Sequence, residues 1–413
     1  MVHRRNLIGR VGMLVHACYL RDARVQREAE TLATMGFDVQ VVCARESSRS
    51  NGLPEPRNEI VNGVHIHRIP LSPKRGSKVR YMFEYAMTTI FGTWKLAVLN
   101  LIKRFDVVHI HNMPDFLVVA GLGLKWTGAI LVLDVHDPMN ELFQANYHLA
   151  ESHPMIRALE LQERISYRFA NHLLTVSIPM AENVAKKAGR AKESVKIVHN
   201  FPDVSKFPIR EDRKQWPFNT DSIVFLYCGT VTEHYRLDIA IRAIAITSQT
   251  ISNIKFQILG TGNRLRQILS LAKDLGIGDR VEHLKPVRQD RVIDVMANAD
   301  VGITTHQSGT FADLYFSTKI VEFMTQGLPV ISSRTSTIEK YIPENAIFYF
   351  KPEQVDDLVE QILAMYNNPH LVVEKIKNSK RLLMKYTWEK EKSSLLSFYE
   401  ELIANNNGKK GTY

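Results

Sequence analysis

Cysteine is scarce: Cys18, Cys43 and Cys228 are the three in 413 residues, and their spacing fits neither a disulfide framework nor a metal site. Buried thiols in a reducing cytoplasm are therefore expected. Long apolar runs are also missing. The most apolar region, 81–102, is interrupted by Glu84 and Lys95, so nothing reaches the roughly 18 residues of a membrane span. The amino terminus is basic at Arg4 and Arg5, but the apolar run 11–15 behind it is too short for a secretory signal. Asp-x-Asp and Gly-x-Gly-x-x-Gly are absent as well. The first absence, with no His or Cys cluster at ligand spacing, leads to an expectation of no metal. The second disfavours a dinucleotide-dependent dehydrogenase.

What is present is ordinary for a globular protein, with 45% hydrophobic and 23% charged residues. The length exceeds one core and suits two domains of about 200 residues each. The net charge of +10 is uneven, +8 over residues 1–200 and +2 over the rest. Much of it sits in 74–104, where Lys74, Arg75, Lys78, Arg80, Lys95, Lys103 and Arg104 face Glu84 alone. These flank Tyr81, Met82, Phe83, Tyr85, Met87, Phe91 and Trp94. Two readings fit: a surface for an anionic membrane or phosphate-bearing lipid acceptor, or a helix with its apolar face in the core and solvated basic ends. Nucleic acid is not expected, because no nucleic-acid-binding motif accompanies the charge.

Short apolar, often β-branched runs at 11–16, 38–43, 64–69, 107–111, 130–135, 172–176 and 195–199 alternate with helical patterns such as 25–35 and 156–169. The second half repeats the scheme with strands at 223–227, 255–259, 280–283, 301–304, 329–331 and 346–350. Alternation of this kind predicts an α/β protein of two doubly wound, Rossmann-like domains. Pro202 and Pro208 mark a linker, placing the domains at 1–203 and 204–380. A terminal helix over 381–404 and a frayed polar tail over 405–413 follow.

The most informative stretch is 317–331. Ile320, Val321, Phe323 and Met324 have helical spacing, and Gly327 and Pro329 end the helix before a strand beginning at Val330. With Thr318 as N-cap, the first-turn N–H groups and Lys319 converge on an anion, and Glu322 lies one turn on to accept from hydroxyls. A phosphate with sugar hydroxyls describes a nucleotide. A capped helix leading into a buried strand is the plainer alternative.

The order strand 298–303, polar loop 304–315, helix, Gly-x-Pro, strand resembles the donor-binding segment of family-4 glycosyltransferases of the GT-B type. The resemblance extends over essentially the whole chain. It implies a terminal helix that crosses back to the first domain, a nucleotide-diphosphate sugar as co-substrate, no cofactor, and a glycan or lipid-linked acceptor, as in polysaccharide biosynthesis. It also implies retention of anomeric configuration.

On the donor side, Gly229 and Thr230 resemble the family's first phosphate loop. Thr230, Tyr235 and Arg236 stand where an arginine and a lysine-glycine pair are more usual, so Arg236 or His234 is expected to supply positive charge. Leu314 replaces a frequent glutamate, and Asp313 beside it becomes a candidate for a sugar hydroxyl or for holding its loop. Gly309 and Thr310 are expected to offer N–H groups to the sugar and β-phosphate, alongside Thr318, Lys319 and Glu322. Gly260 and Gly262 are a weak signal that suits a turn.

His136 matches the family's histidine facing the donor sugar, with Asp137 orienting it or its loop; these two and Asp313 form the expected catalytic set. His111, Asn112 and Asp115, with Asp22 and Arg24 in the loop after the first strand, are the acceptor-side candidates, although Asn112 and Asp115 equally suit shaping a turn or capping a helix. His109 and His111 are expected on opposite faces of their strand. Two other functions fit the same architecture: a sugar-nucleotide epimerase and a non-catalytic GT-B binding protein.

Overall fold

The computed structural model describes residues 8–46, 55–73, 78–210, 216, 222–288 and 291–410. The chain divides into two compact units, Met1–His199 with Glu391–Tyr413, and Asn200–Lys390. Each is an α/β sheet unit.

The first sheet contains β1 (Arg10–Cys18), β2 (Asp38–Ala44), β3 (Asn58–Val61), β4 (Val64–Arg68), β5 (Val107–His111), β6 (Ile130–Val135), β7 (His172–Thr175) and β8 (Val195–Ile197). Their order is β3-β4-β2-β1-β5-β6-β7-β8, and every pairing is parallel except β3 with β4. The antiparallel β3 was not expected. Its residues alternate between exposed and half-buried, so it lacks the continuous apolar signature that exposes a central parallel strand in a sequence.

The second sheet contains β9 (Ile223–Cys228), β10 (Ile254–Leu259), β11 (Val281–Leu284), β12 (Val301–Thr304), β13 (Val330–Ser333) and β14 (Phe348–Phe350), in the order β11-β10-β9-β12-β13-β14. All pairings are parallel. The central strands β9 and β12 are buried throughout. Gly302 on β12 is required for packing: a Cβ there would lie 2.4 Å from the Phe323 ring. Phe323 thereby seats the helix Thr318–Thr325 directly on its own strand.

In both sheets the order reverses between two neighbouring strands, β1 and β5 in the first, β9 and β12 in the second. Loops leaving the carboxyl ends of such strands form the ligand crevice of an open parallel sheet.

The terminal helix runs Trp388–Lys410 and belongs to the first unit from Glu391 onward. Helix therefore replaces the frayed tail expected over 405–410. Tyr399 is fully buried on it, and Asn406 donates to the Gly128 carbonyl at 3.0 Å.

The helix Lys78–Ile102 is apolar on more than one side. Leu96 and Leu99 are buried, whereas Met82, Phe83, Ile90, Trp94 and Leu101 are well exposed. Its outward face is thus not the purely polar one that a core-packed amphipathic helix shows. Lys74 and Arg75 lie outside the described residues.

Candidate functional site

In the second unit the helix Thr318–Thr325 follows β12 at the strand-order reversal. Ile320, Val321, Phe323 and Met324 are fully buried, which turns Lys319 and Glu322 the other way. Lys319 Nζ lies 2.6 Å from Glu322 Oε2. Burial pulls the ammonium pKa down, but the facing carboxylate more than offsets this and the net shift is upward. Both charges act on the Cys228 thiol at the end of β9, Lys319 lowering and Glu322 raising its pKa, so the pair lies within electrostatic reach of the first phosphate-loop candidate. The N-cap is Ser317, not Thr318: its backbone is extended at φ −72° and ψ 106°, and Thr318 is the first helical residue.

Behind Cys228, the loop from Gly229 zips to the loop after β10. Gly229 N–H donates to Leu259 O at 3.0 Å and Val231 N–H to Thr261 O at 3.1 Å. A Cβ at Gly260 would meet Gly229 O at 1.8 Å, and one at Gly262 would meet Val231 O at 1.9 Å. The two glycines therefore serve close backbone approach rather than a turn alone. Thr230 is exposed next to half-buried Gly229.

Arg236 does not supply the expected free charge. Its Nε and Nη2 each donate to Asp238 at 3.0 Å, and its Nη1 donates to Glu353 Oε1. The residue sits at φ 42°, in the left-handed region. His234 does not supply the charge either, because burial lowers its pKa to about 4. Glu353, which sequence reasoning missed, also accepts from the Ser308 hydroxyl at 2.6 Å and so joins the 229–238 and 304–315 loops. No local motif announces a contact made 117 positions away.

Asp313 proves to be a clamp. Its Oδ1 accepts from the Ser336 hydroxyl at 2.7 Å and the Ser336 N–H at 3.2 Å, and its carbonyl accepts from the Thr337 hydroxyl. The expected catalytic carboxylate is thus engaged in holding its loop. Gly309, at φ 127°, and Thr310 are exposed at the start of the short helix Thr310–Leu314.

In the first unit, Asp22 and Arg24 are not free loop residues. Asp22 caps the helix Ala23–Thr34 by accepting from Val25 N–H. Arg24 is buried within that helix, where Nε and Nη2 donate to both Asp134 oxygens at 2.8 and 2.9 Å and Nη1 donates to Val198 O. His111 Nδ1 lies 3.2 Å from Asp134 Oδ2. His109 and His111 share a face, as residues two apart on a strand must, and their rings stack at 4.2 Å.

Glu28, His109, His111 and Asp134 gather their ligand atoms within 4.8 Å, all fully buried. Sequence spacing did not reveal this group, because it draws on a helix and two strands. Its chemistry does not favour an ion. The Arg24 guanidinium already occupies both Asp134 oxygens and lies 3.1 Å from Glu28. Burial raises Asp134, yet Arg24 and His111 more than reverse it and hold the carboxyl well below its usual range; burial pushes Glu28 up to about 8. One carboxylate and one guanidinium then balance at neutral pH.

Asn112 is buried at the end of β5. Its Oδ1 accepts from His136 N–H at 3.0 Å and Asp137 N–H at 3.3 Å. Its Nδ2 donates to Asp137 O at 2.7 Å and Asp115 Oδ1 at 3.1 Å. Asp115 is fully buried and is pushed up to about 8, chiefly by burial and by Glu163. His136 is half-buried, and its Nε2 has no partner among the described residues. Asp137 Oδ2 stands 3.9 Å from His136 Nδ1, an ion-pair distance rather than a hydrogen bond.

Residues 208–382 match the family described as "Glycosyl transferases group 1", and residues 22–200 match "Glycosyl transferase 4-like domain". The chain is 22% identical over 342 residues to chitobiosyldiphosphodolichol beta-mannosyltransferase of Candida albicans, covering 77% of this chain and 74% of the relative. The fold resembles sucrose-phosphate synthase of Thermosynechococcus elongatus with a TM-score of 0.72, 16% identity, and coverage of 96% and 100%. It also resembles Anabaena HepE in complex with UDP-glucose, with a TM-score of 0.67, 13% identity, and coverage of 95% and 100%.

Proposed function

The chain belongs to the family-4 glycosyltransferases of the GT-B fold, and from that premise we propose that it moves a sugar from a nucleotide-diphosphate donor to a hydroxyl of a glycan or lipid-linked acceptor. The observation that carries this reading is the Lys319–Glu322 pair within electrostatic reach of Cys228, at the strand-order reversal of the second sheet. Glu322 accepts from the ribose hydroxyls, and Lys319 faces the diphosphate with the N–H groups of Thr230, Gly309, Thr310 and Thr318, while Gly229 lets the phosphate approach the backbone. The UDP-glucose in Anabaena HepE supports a uracil nucleotide as the first donor to try.

Transfer proceeds with retention. The bond from the anomeric carbon to the diphosphate breaks with its electron pair going to phosphate, and the acceptor oxygen bonds from the same face. The acceptor proton passes to the leaving phosphate oxygen. This course asks for no protein nucleophile, cofactor or metal; fixed N–H groups and Lys319 stabilise the developing charge. The His136 loop is assigned to the reacting sugar. His111 and Asp115, both fully buried, support the acceptor side from beneath.

No described helix is long and apolar enough to cross a membrane. The exposed Met82, Phe83, Ile90 and Trp94, with Arg80, Lys95, Lys103 and Arg104 on or beside the same helix, suit peripheral attachment to an anionic bilayer carrying a lipid-linked acceptor. The dolichol-linked substrate named for the Candida relative supports such an acceptor. A donor and acceptor screen, with the product anomer read by NMR, tests the reading. Acceptor-independent isomerisation of the donor would identify an epimerase instead, and nucleotide binding without turnover a non-catalytic protein.

A further inference from the structure

We propose that Asn112 is a positioning residue that sets the reactive geometry of His136 by holding its loop, rather than contacting the acceptor. The inference rests on the assignment of His136 to the reacting sugar. Three of the four bonds made by the Asn112 carboxamide go to the backbone of 136–137: Oδ1 takes the N–H of His136 and of Asp137, and Nδ2 gives to Asp137 O. The fourth goes to Asp115 Oδ1. Every donor and acceptor of the group is used, so nothing remains for a substrate hydroxyl.

The arrangement is selective for asparagine. Two backbone N–H groups demand an acceptor on one side, and a carbonyl with a carboxyl oxygen demands a donor on the other. Aspartate matches asparagine in shape but has no N–H to give, and ionised it would place a charge 3.1 Å from an already buried carboxyl. Alanine supplies neither half. Because β6 ends at Val135, these bonds begin at the first loop residue, where a small shift of the backbone swings the His136 ring.

Misplacement of a reacting group by about 1 Å costs on the order of 100-fold in rate. The test compares wild type, Asn112→Asp, Asn112→Ala, His136→Ala and Asn112→Ala/His136→Ala for transfer kcat, donor KM and thermal midpoint. The expected result is about a 100-fold fall in kcat for both Asn112 variants, with donor KM nearly unchanged. The double variant should be no slower than His136→Ala alone, because the amide acts through the histidine. Additive losses in the double variant, or wild-type kcat in both Asn112 variants, overturn the proposal. So does failure of both Asn112 variants to fold, since the residue would then hold the domain rather than the loop. Wild-type transfer by His136→Ala refutes the His136 assignment itself, a result distinct from additive losses.

Discussion

The hydroxyl of Tyr399 and Nδ1 of His109 lie 2.5 Å apart, both fully buried, and join the terminal helix to the strand β5 that leads to Asn112. The terminal helix is thereby tied to a central strand of the first unit. Replacing Tyr399 with Phe leaves a buried imidazole nitrogen unpaired, so unfolding free energy should drop by about 1–3 kcal/mol. Urea titration of the purified variant measures it.

Arg24 should be the costlier loss. Its bidentate grip on Asp134 is wholly buried, and removing one partner of such a pair costs about 3–5 kcal/mol. Arg24→Met is expected to unfold at much lower urea than wild type. Arg24→Lys should recover little of this, because a point charge cannot span both oxygens.

Glu28 predicts a pH dependence of opposite sign to an ordinary ion-paired carboxylate. Its folded pKa is raised to about 8, against about 4.3 unfolded. The folded state therefore holds the proton more tightly, and its stabilisation is present at low pH and is lost progressively from about pH 4.3 to about pH 8. Glu28→Gln removes that slope, so its stability relative to wild type should rise between pH 5 and pH 8. Paired urea titrations at the two pH values check this.

Much of this architecture was legible in the sequence. The strands β5, β6 and β12 fall where continuous apolar runs place them, because a strand buried on both faces has no alternative pattern. The helix bearing Lys319 and Glu322 was legible for a similar reason, from four apolar residues and a Gly-x-Pro stop. The roles of Arg236, Asp313 and Asn112 were left open. Each has the polar chemistry of a ligand contact, and the sequence does not reveal that Asp238 with Glu353, Ser336, or the 136–137 backbone already satisfies it. The Glu28 cluster was hidden because its members come from separate elements.

The glycine contact at the donor loop gives a sharper test of that loop's role. Gly260→Ala would press a methyl group into the Gly229 carbonyl, displacing the backbone assigned to the diphosphate. Donor KM should rise at least about tenfold. A folded variant with wild-type KM would separate this loop from donor binding.

Membrane attachment is testable on the helix Lys78–Ile102. Met82→Ser, Phe83→Ser and Trp94→Ser together, or Lys78→Glu with Arg80→Glu, should release the protein from vesicles of anionic lipid in cosedimentation. Retention equal to wild type by both variants contradicts a bilayer-facing role for this surface.

Calorimetric titration with a panel of nucleoside diphosphates, on wild type and Glu322→Ala, addresses the central claim most directly. Wild type should bind at least one member of the panel, and the variant should bind it at least about tenfold more weakly, as expected when hydrogen bonds to a charged group are lost. Absence of binding to wild type, or equal affinity in Glu322→Ala, would contradict the assignment of the Lys319–Glu322 helix as the donor anchor.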